Sequence, residues 1–274
     1  MSLKVKRYLG YAMSIFTAFS FAACLMCMTL KLGIMDISFL KESMRNQGYY
    51  AYKQEVLEDD LIALIDEYGL PERVTEGVIT DRMISIDTNK DINNMLNDKN
   101  SSYNTHEMET VLRDNIINYL REEGVESTEI FSNYIDGVVK KAAVQYKSNI
   151  GFEFVDTYSV FYYKYSDIIN IVFFVFLGVN VICLLFSLTF RSRKYRGLRY
   201  YNYGIVAGSF ISVIATALVG LSFVNTFVGN TLYYSIIREF CIKAFVQGIY
   251  VSVIGFVYAA VVLLFVYSFN KKYI

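Results

Sequence analysis

A single histidine, a single proline, no tryptophan and four cysteines occur among the 274 residues. Each scarcity removes a class of chemistry. The lone histidine, His106, stands beside a predicted helix start and reads as solvated. The cysteines, Cys24, Cys27, Cys183 and Cys241, all lie in or beside apolar runs. That leaves almost no room for zinc held by its usual histidine and cysteine ligands. Cys24 and Cys27 have redox spacing, but a lipid-embedded helix lacks the electropositive surroundings that generate a thiolate, so ordinary packing is the reading. No cysteine falls in the large polar region, which is expected to fold without disulfides. A phosphate-binding glycine loop, a nucleophile elbow and an HExxH pair are also missing. Charge is scarce where it would matter most. Asp167 and Lys243 sit at the edges of apolar runs, and no other acid or base interrupts them. Ion relays across a membrane use ionisable groups inside the bundle, so an ion-coupled transporter is disfavoured. No enzymatic activity, no cofactor and no nucleic-acid partner is expected.

What is present is apolar surface. Residues are 54% hydrophobic, with 24 Tyr and 21 Phe, the profile of a polytopic membrane protein. Four apolar runs cover residues 8–30, 168–190, 203–224 and 244–269. Ser20 to Cys24 resembles a lipoprotein processing box, yet the sequence stays apolar through Leu30, as an uncleaved span does. Lys31 can snorkel from its outer end. The third run carries Gly204, Gly208, Ser212, Thr216 and Gly220, a small residue at every fourth position. On a helix this makes one stripe. Small residues let backbones approach in lipid, where close packing and interhelical hydrogen bonds supply the attraction. The third span is therefore expected to be the central helix of the membrane bundle.

Net charge is zero, but its distribution is lopsided. Residues 36–166 hold 24 acids against 13 bases, a net −11. Ten bases without an acid fall in three short tracts: Lys4, Lys6 and Arg7; Arg191, Arg193, Lys194, Arg196 and Arg199; Lys271 and Lys272. The positive-inside rule makes these tracts and both termini cytoplasmic, at a cell membrane, and puts the acidic region outside. The predicted fold is an all-α polytopic protein with four transmembrane helices. Residues 1–33 form the N-terminus and first span, 34–166 a helical extracellular domain, and 167–274 the remaining three spans.

Within the outer region Leu57, Leu61, Leu64, Ile65 and Tyr68 form one helical face that Gly69 and Pro71 terminate. A helix is expected over 81–97. Asn104 and Glu107 have capping-box spacing ahead of the face Met108, Val111, Leu112, Ile116, Tyr119 and Leu120, closed by Gly124. Ser127 or Thr128 is expected to cap the next helix, whose face runs from Phe131 to Tyr146. Tyrosines at 158–165, 195–203 and 233–234 read as interfacial belts. A short helix along the outer surface is expected at 232–240, separate from the fourth span.

Two clusters are candidate sites. Asp87, Asn89, Asp91, Asn93 and Asp98 occupy positions 1, 3, 5, 7 and 12 of a calcium loop, with Ile92 in place of the turn glycine and Asp in place of the final Glu. A helix with Asp and Asn near its start is the stronger reading. The basic run Arg191, Arg193, Lys194, Arg196 and Arg199 suits anionic headgroups or a cytoplasmic partner. Asn170, Asn180, Asn225 and Gln247 are the carboxamides in or near the spans and suit interhelical hydrogen bonds.

One span, a large outer region and three further spans is a layout that resembles FtsX and the MacB-type permease subunits. That resemblance implies a cytoplasmic ATPase partner docked near 191–201. With Ile37-Ser38-Phe39-Leu40 and Gly48-Tyr49-Tyr50 after the first span, the chain is also similar to uncharacterised four-span membrane proteins of Gram-positive bacteria. Three functions compete. The first is a non-enzymatic membrane protein whose outer domain binds a partner or ligand, within a complex contacting membrane lipids. The others are an ATPase-coupled permease subunit and an oligomeric channel.

Overall fold

The computed structural model describes residues 3–97, 103–124, 129–189, 194–226, 229 and 231–271. Among these residues the chain is helical and has no strand. The helices are α1 (Leu3–Thr29), α2 (Ile37–Asn46), α3 (Tyr49–Glu67), α4 (Asp81–Met95), α5 (His106–Glu122), α6 (Glu129–Asn149), α7 (Glu153–Thr189), α8 (Lys194–Thr226) and α9 (Leu232–Lys271). Four stretches, Arg7–Ile34, Glu153–Thr189, Arg196–Thr226 and Leu232–Ser268, are long and apolar enough to cross a membrane. This is the architecture of an all-helical multi-pass membrane protein. The chain divides into two compact units, Met44–Tyr163 and a second made of Met1–Ser43 with Lys164–Ile274.

In the unit Met44–Tyr163, α3 buries Leu57, Leu61, Leu64 and Ile65 at the spacing of one helical face. It stops where Gly69 adopts φ 68°, a left-handed conformation that costs glycine nothing, and Pro71 opens a 3₁₀ turn over Glu72–Thr75. The Thr80 hydroxyl accepts from the Met83 N–H at 3.3 Å and so caps α4. Met108, Leu112 and Ile116 of α5 and Ile135, Val138, Val139, Ala142 and Tyr146 of α6 complete the core with α3. Asn115 donates to the carbonyls of Val74 and Glu76, both at 3.0 Å, and ties the 3₁₀ segment to α5. The capping box does not form as its spacing suggests. Thr105 precedes the helix, and the Asn104 carboxamide oxygen accepts from the His106 N–H at 3.3 Å. Ser127, Thr128 and the side chain of Phe131 lie outside the described residues.

In the membrane unit α8 lies between α1 and α9. A Cβ on Gly204 would sit 2.6 Å from the Ser14 carbonyl oxygen, and one on Gly208 2.7 Å from that of Ala18, so both glycines allow backbone contact with α1. Farther along, the Ser212 and Ser252 hydroxyls share a hydrogen bond of 2.9 Å between α8 and α9. Thr216 faces Gly248, and Gly220 faces Phe245. After α1 the chain makes one π-helical turn, Leu30–Ile34, with the Met35 N–H on the Leu30 carbonyl at 2.8 Å. That turn brings Gly33 against the Ala244 backbone. The spanning stretch of α7 is the least enclosed. Only 11% of its apolar window is buried, against 44%, 39% and 33% for those of α1, α8 and α9.

Three boundaries differ from the sequence reading. Helix α7 starts at Glu153, so Asp167 lies inside it rather than at its edge. Residues 232–240 are not a separate surface helix but the start of α9, since no glycine or proline breaks the chain before Ala244. Lys243 is accordingly inside the helix rather than at its edge. Its ammonium bridges Glu239 at 2.9 Å and Glu42 at 3.1 Å, which offsets the burial of its charge. Residues 194–201, read as part of a basic loop, are the opening turns of α8.

Candidate polar groove of the helical unit

A groove of about 410 Å³ opens in the unit Met44–Tyr163. Helix α3 contributes Lys53, Val56 and Asp60, which share one face at i, i+3 and i+7. Helix α4 contributes Asp91 and Met95 at i and i+4, and Tyr103 stands just ahead of α5. The far wall is the end of α6 with Gly151 and Phe152, followed by Glu153 and Asp156 in the first turn of α7.

Most of these charges have a local explanation. Glu153 and Asp156 sit at a helix N-terminus and Lys147 in a helix's last turn, each on the favourable end of the macrodipole. Asp60 accepts from the Asn149 amide at 2.7 Å, and its main-chain carbonyl from Gln145 at 3.3 Å. Burial pushes the Lys53 ammonium below its ordinary pKa, while Asp60 and Glu153 act in the opposite sense.

Asp91 has no such explanation. It is 3% exposed, yet it lines the groove, and its Oδ1 has no hydrogen-bond partner. No ion pair reaches it among the described residues. It lies toward the C-terminal end of α4, where the helix dipole does not favour an anion. Nearby, the buried Tyr49 hydroxyl is also without a partner, and its ring meets that of Phe152 edge-on at 5.1 Å. Burial first, and the neighbouring phenols and Asp91 after it, raise the Tyr49 pKa. One turn before Asp91, Asp87 is 4% exposed but accepts from the Tyr146 hydroxyl at 3.1 Å. An unmet buried carboxylate is costly and rare.

The calcium-loop spacing meets a different geometry. Asp87, Asn89, Asp91 and Asn93 lie on the continuous helix α4, where residues two apart point about 200° from each other. Asp87 and Asp91 turn inward, Asn89 bonds to the Ser85 carbonyl at 2.7 Å, and Asn93 is exposed. The four do not converge. Asp98 lies outside the described residues. So do Arg191, Arg193 and the side chain of Lys194, while Arg196 and Arg199 are exposed on the opening turns of α8. His106 is exposed.

A second cleft, of about 360 Å³, lies within the membrane unit. Phe21, Cys24 and Leu25 of α1 face Phe173, Leu177 and Asn180 of α7 there, with Tyr201 and Tyr258 alongside. Asn180 donates to the Phe176 carbonyl at 2.9 Å, and its Oδ1 has no partner. The wall is otherwise almost wholly apolar, a surface that lipid chains satisfy.

Of the groove residues, sequence reasoning had singled out Asp91 alone, as one position of the calcium-loop spacing on a stretch read more strongly as helix, which α4 is. Lys53, Asp60, Lys147, Phe152, Glu153 and Asp156 were missed. The available signal was Lys53 and Asp60 flanking Val56 on the edge of the Leu57–Leu61–Leu64 stripe, charges bordering a core. No protein-family model, curated protein or solved structure matches the chain.

Proposed function

We propose that this chain is a non-enzymatic multi-pass protein of the cell membrane. In this reading its helical unit stands outside, between the first and second spans, and binds a ligand in the groove as part of a membrane complex. One observation carries the reading. Asp91 is a carboxylate withdrawn from water, with its Oδ1 unmet by the protein, and it lines a groove large enough for a small molecule. Orientation follows from charge: the acidic region faces outward, and the basic tracts, including Arg196 and Arg199, stay in the cytoplasm with both termini. The permease and channel readings have no comparable observation behind them.

The test uses a variant lacking Cys24, Cys27, Cys183 and Cys241. Asp156→Cys at the groove is expected to react with an impermeant thiol reagent in intact cells, and Arg199→Cys only after permeabilisation. The opposite pattern overturns the reading. Chain purified gently from its membrane is expected to release a bound compound on denaturation that an Asp91→Asn preparation lacks.

A further inference from the structure

We infer that the groove of the helical unit is a site for an organic cation whose primary ammonium group sits on Asp91; this rests on the groove being a ligand site. The lining carries four carboxylates, Asp60, Asp91, Glu153 and Asp156, against the two ammoniums of Lys53 and Lys147. That imbalance draws a cation and disfavours a free anion. Among the carboxylates Asp91 is the deepest and the one with an unmet oxygen. A water molecule there would supply a hydrogen bond but no charge, and about 410 Å³ is far more than the ~30 Å³ a water occupies.

A metal ion is the competing cation, and it demands a different arrangement. Calcium takes six to eight oxygen ligands. Among the described residues no three His, Cys, Asp or Glu side chains converge on a metal position. Asp60 is already engaged by Asn149. An ammonium needs less: one carboxylate, further acceptors for its N–H groups, and any ring faces that come within reach. Asp91 supplies the first, and Phe152 and Tyr103 lie on the same lining. Glu153 and Asp156, exposed at the mouth, suit a second ammonium. A diamine therefore binds more tightly than a monoamine of the same length.

The test is calorimetric titration and thermal unfolding of the full chain in lipid nanodiscs. The probes are 1,4-diaminobutane, n-butylamine, tetramethylammonium, calcium chloride and succinate. Saturable binding in the order 1,4-diaminobutane, n-butylamine, tetramethylammonium is expected, with a matching rise in the melting midpoint. Asp91→Asn is expected to weaken the diamine at least tenfold. Asp66→Asn, exposed on α3 and away from the groove, is expected to leave it unchanged. Should Asp91→Asn fail to fold, Asp156→Lys at the exposed mouth is expected to weaken the diamine several-fold. Diamine binding indifferent to both substitutions overturns the inference. So does calcium or succinate binding that depends on Asp91 while the amines do not bind. If the amines do not bind, yet natively purified chain still releases a compound that Asp91→Asn lacks, the ammonium assignment falls and the groove reading stands. If neither occurs, both fall.

Discussion

Asp87 and Asp91 are chemically identical, one helical turn apart and similarly buried, yet only Asp87 receives a donor, the Tyr146 hydroxyl at 3.1 Å. The difference separates a structural carboxylate from a candidate binding one. Removing the Tyr146 hydroxyl leaves Asp87 with an unmet oxygen, a loss of about 1–3 kcal/mol. Tyr146→Phe is therefore expected to lower the unfolding free energy of the helical unit by that amount in denaturant titrations. The same hydroxyl makes stability fall with alkali. Burial first, and Asp87 second, raise the Tyr146 pKa above its ordinary 10.0. A pKa higher in the folded state gives stability that is complete below pH 10 and lost as pH rises further, because the unfolded phenol ionises first. Melting midpoints are expected to drop between pH 9 and pH 11, and to drop less in Tyr146→Phe. The calcium-loop spacing falls on a helix, the stronger of the two readings from sequence. Loop ligands use alternate residues, whereas a helix brings together residues four apart, and α4 is a helix.

Element by element, α8 shows what a periodic stripe does and does not specify. Small residues at every fourth position are visible without coordinates. That Gly204 and Gly208 meet α1, while Ser212, Thr216 and Gly220 meet α9, is not, because neither neighbour is encoded in the stripe. The two contacts predict a contrast. Gly208→Leu drives a side chain into the Ala18 carbonyl, and overpacking of this kind costs about 1–3 kcal/mol. Ala207→Leu adds the same bulk at an exposed position one residue earlier. Thermal unfolding in detergent is expected to fall for Gly208→Leu and to stay near wild type for Ala207→Leu. Equal values would mean that α1 does not pack there. Helix α9 teaches the converse. Lys243 looked like a segment edge, but Glu42 and Glu239 neutralise it and the helix continues.

At the scale of the molecule, the unit Met44–Tyr163 has a core of its own, with Leu57, Leu61, Ile84, Leu112, Ile116 and Val138 buried together. A fragment of residues 44–163 is accordingly expected to give a helical circular dichroism spectrum and a cooperative melt that chelator does not change. Loss of that melt in chelator with recovery in calcium would return α4 to a metal-binding role. Leu112→Ala, at a fully buried position, is expected to cost the fragment about 2–5 kcal/mol.

The sequence by itself determined the all-helical class, the four apolar spans and several helix ends. Those features are local: hydropathy over about 20 residues decides a span, and a glycine at positive φ just past an apolar face, as at Gly69 and Gly124, ends the helix there. Tertiary structure alone decided the groove, the isolation of Asp91, the division of the α8 stripe between two neighbours and the exposed face of α7. Each of these depends on which distant segments meet. Lys53, Asp91 and the pair Phe152 and Asp156 come from three separate stretches of chain, and no periodicity within one stretch records the others. Burial of a single carboxylate is the clearest case, since the same aspartate is ordinary in water and costly in a core.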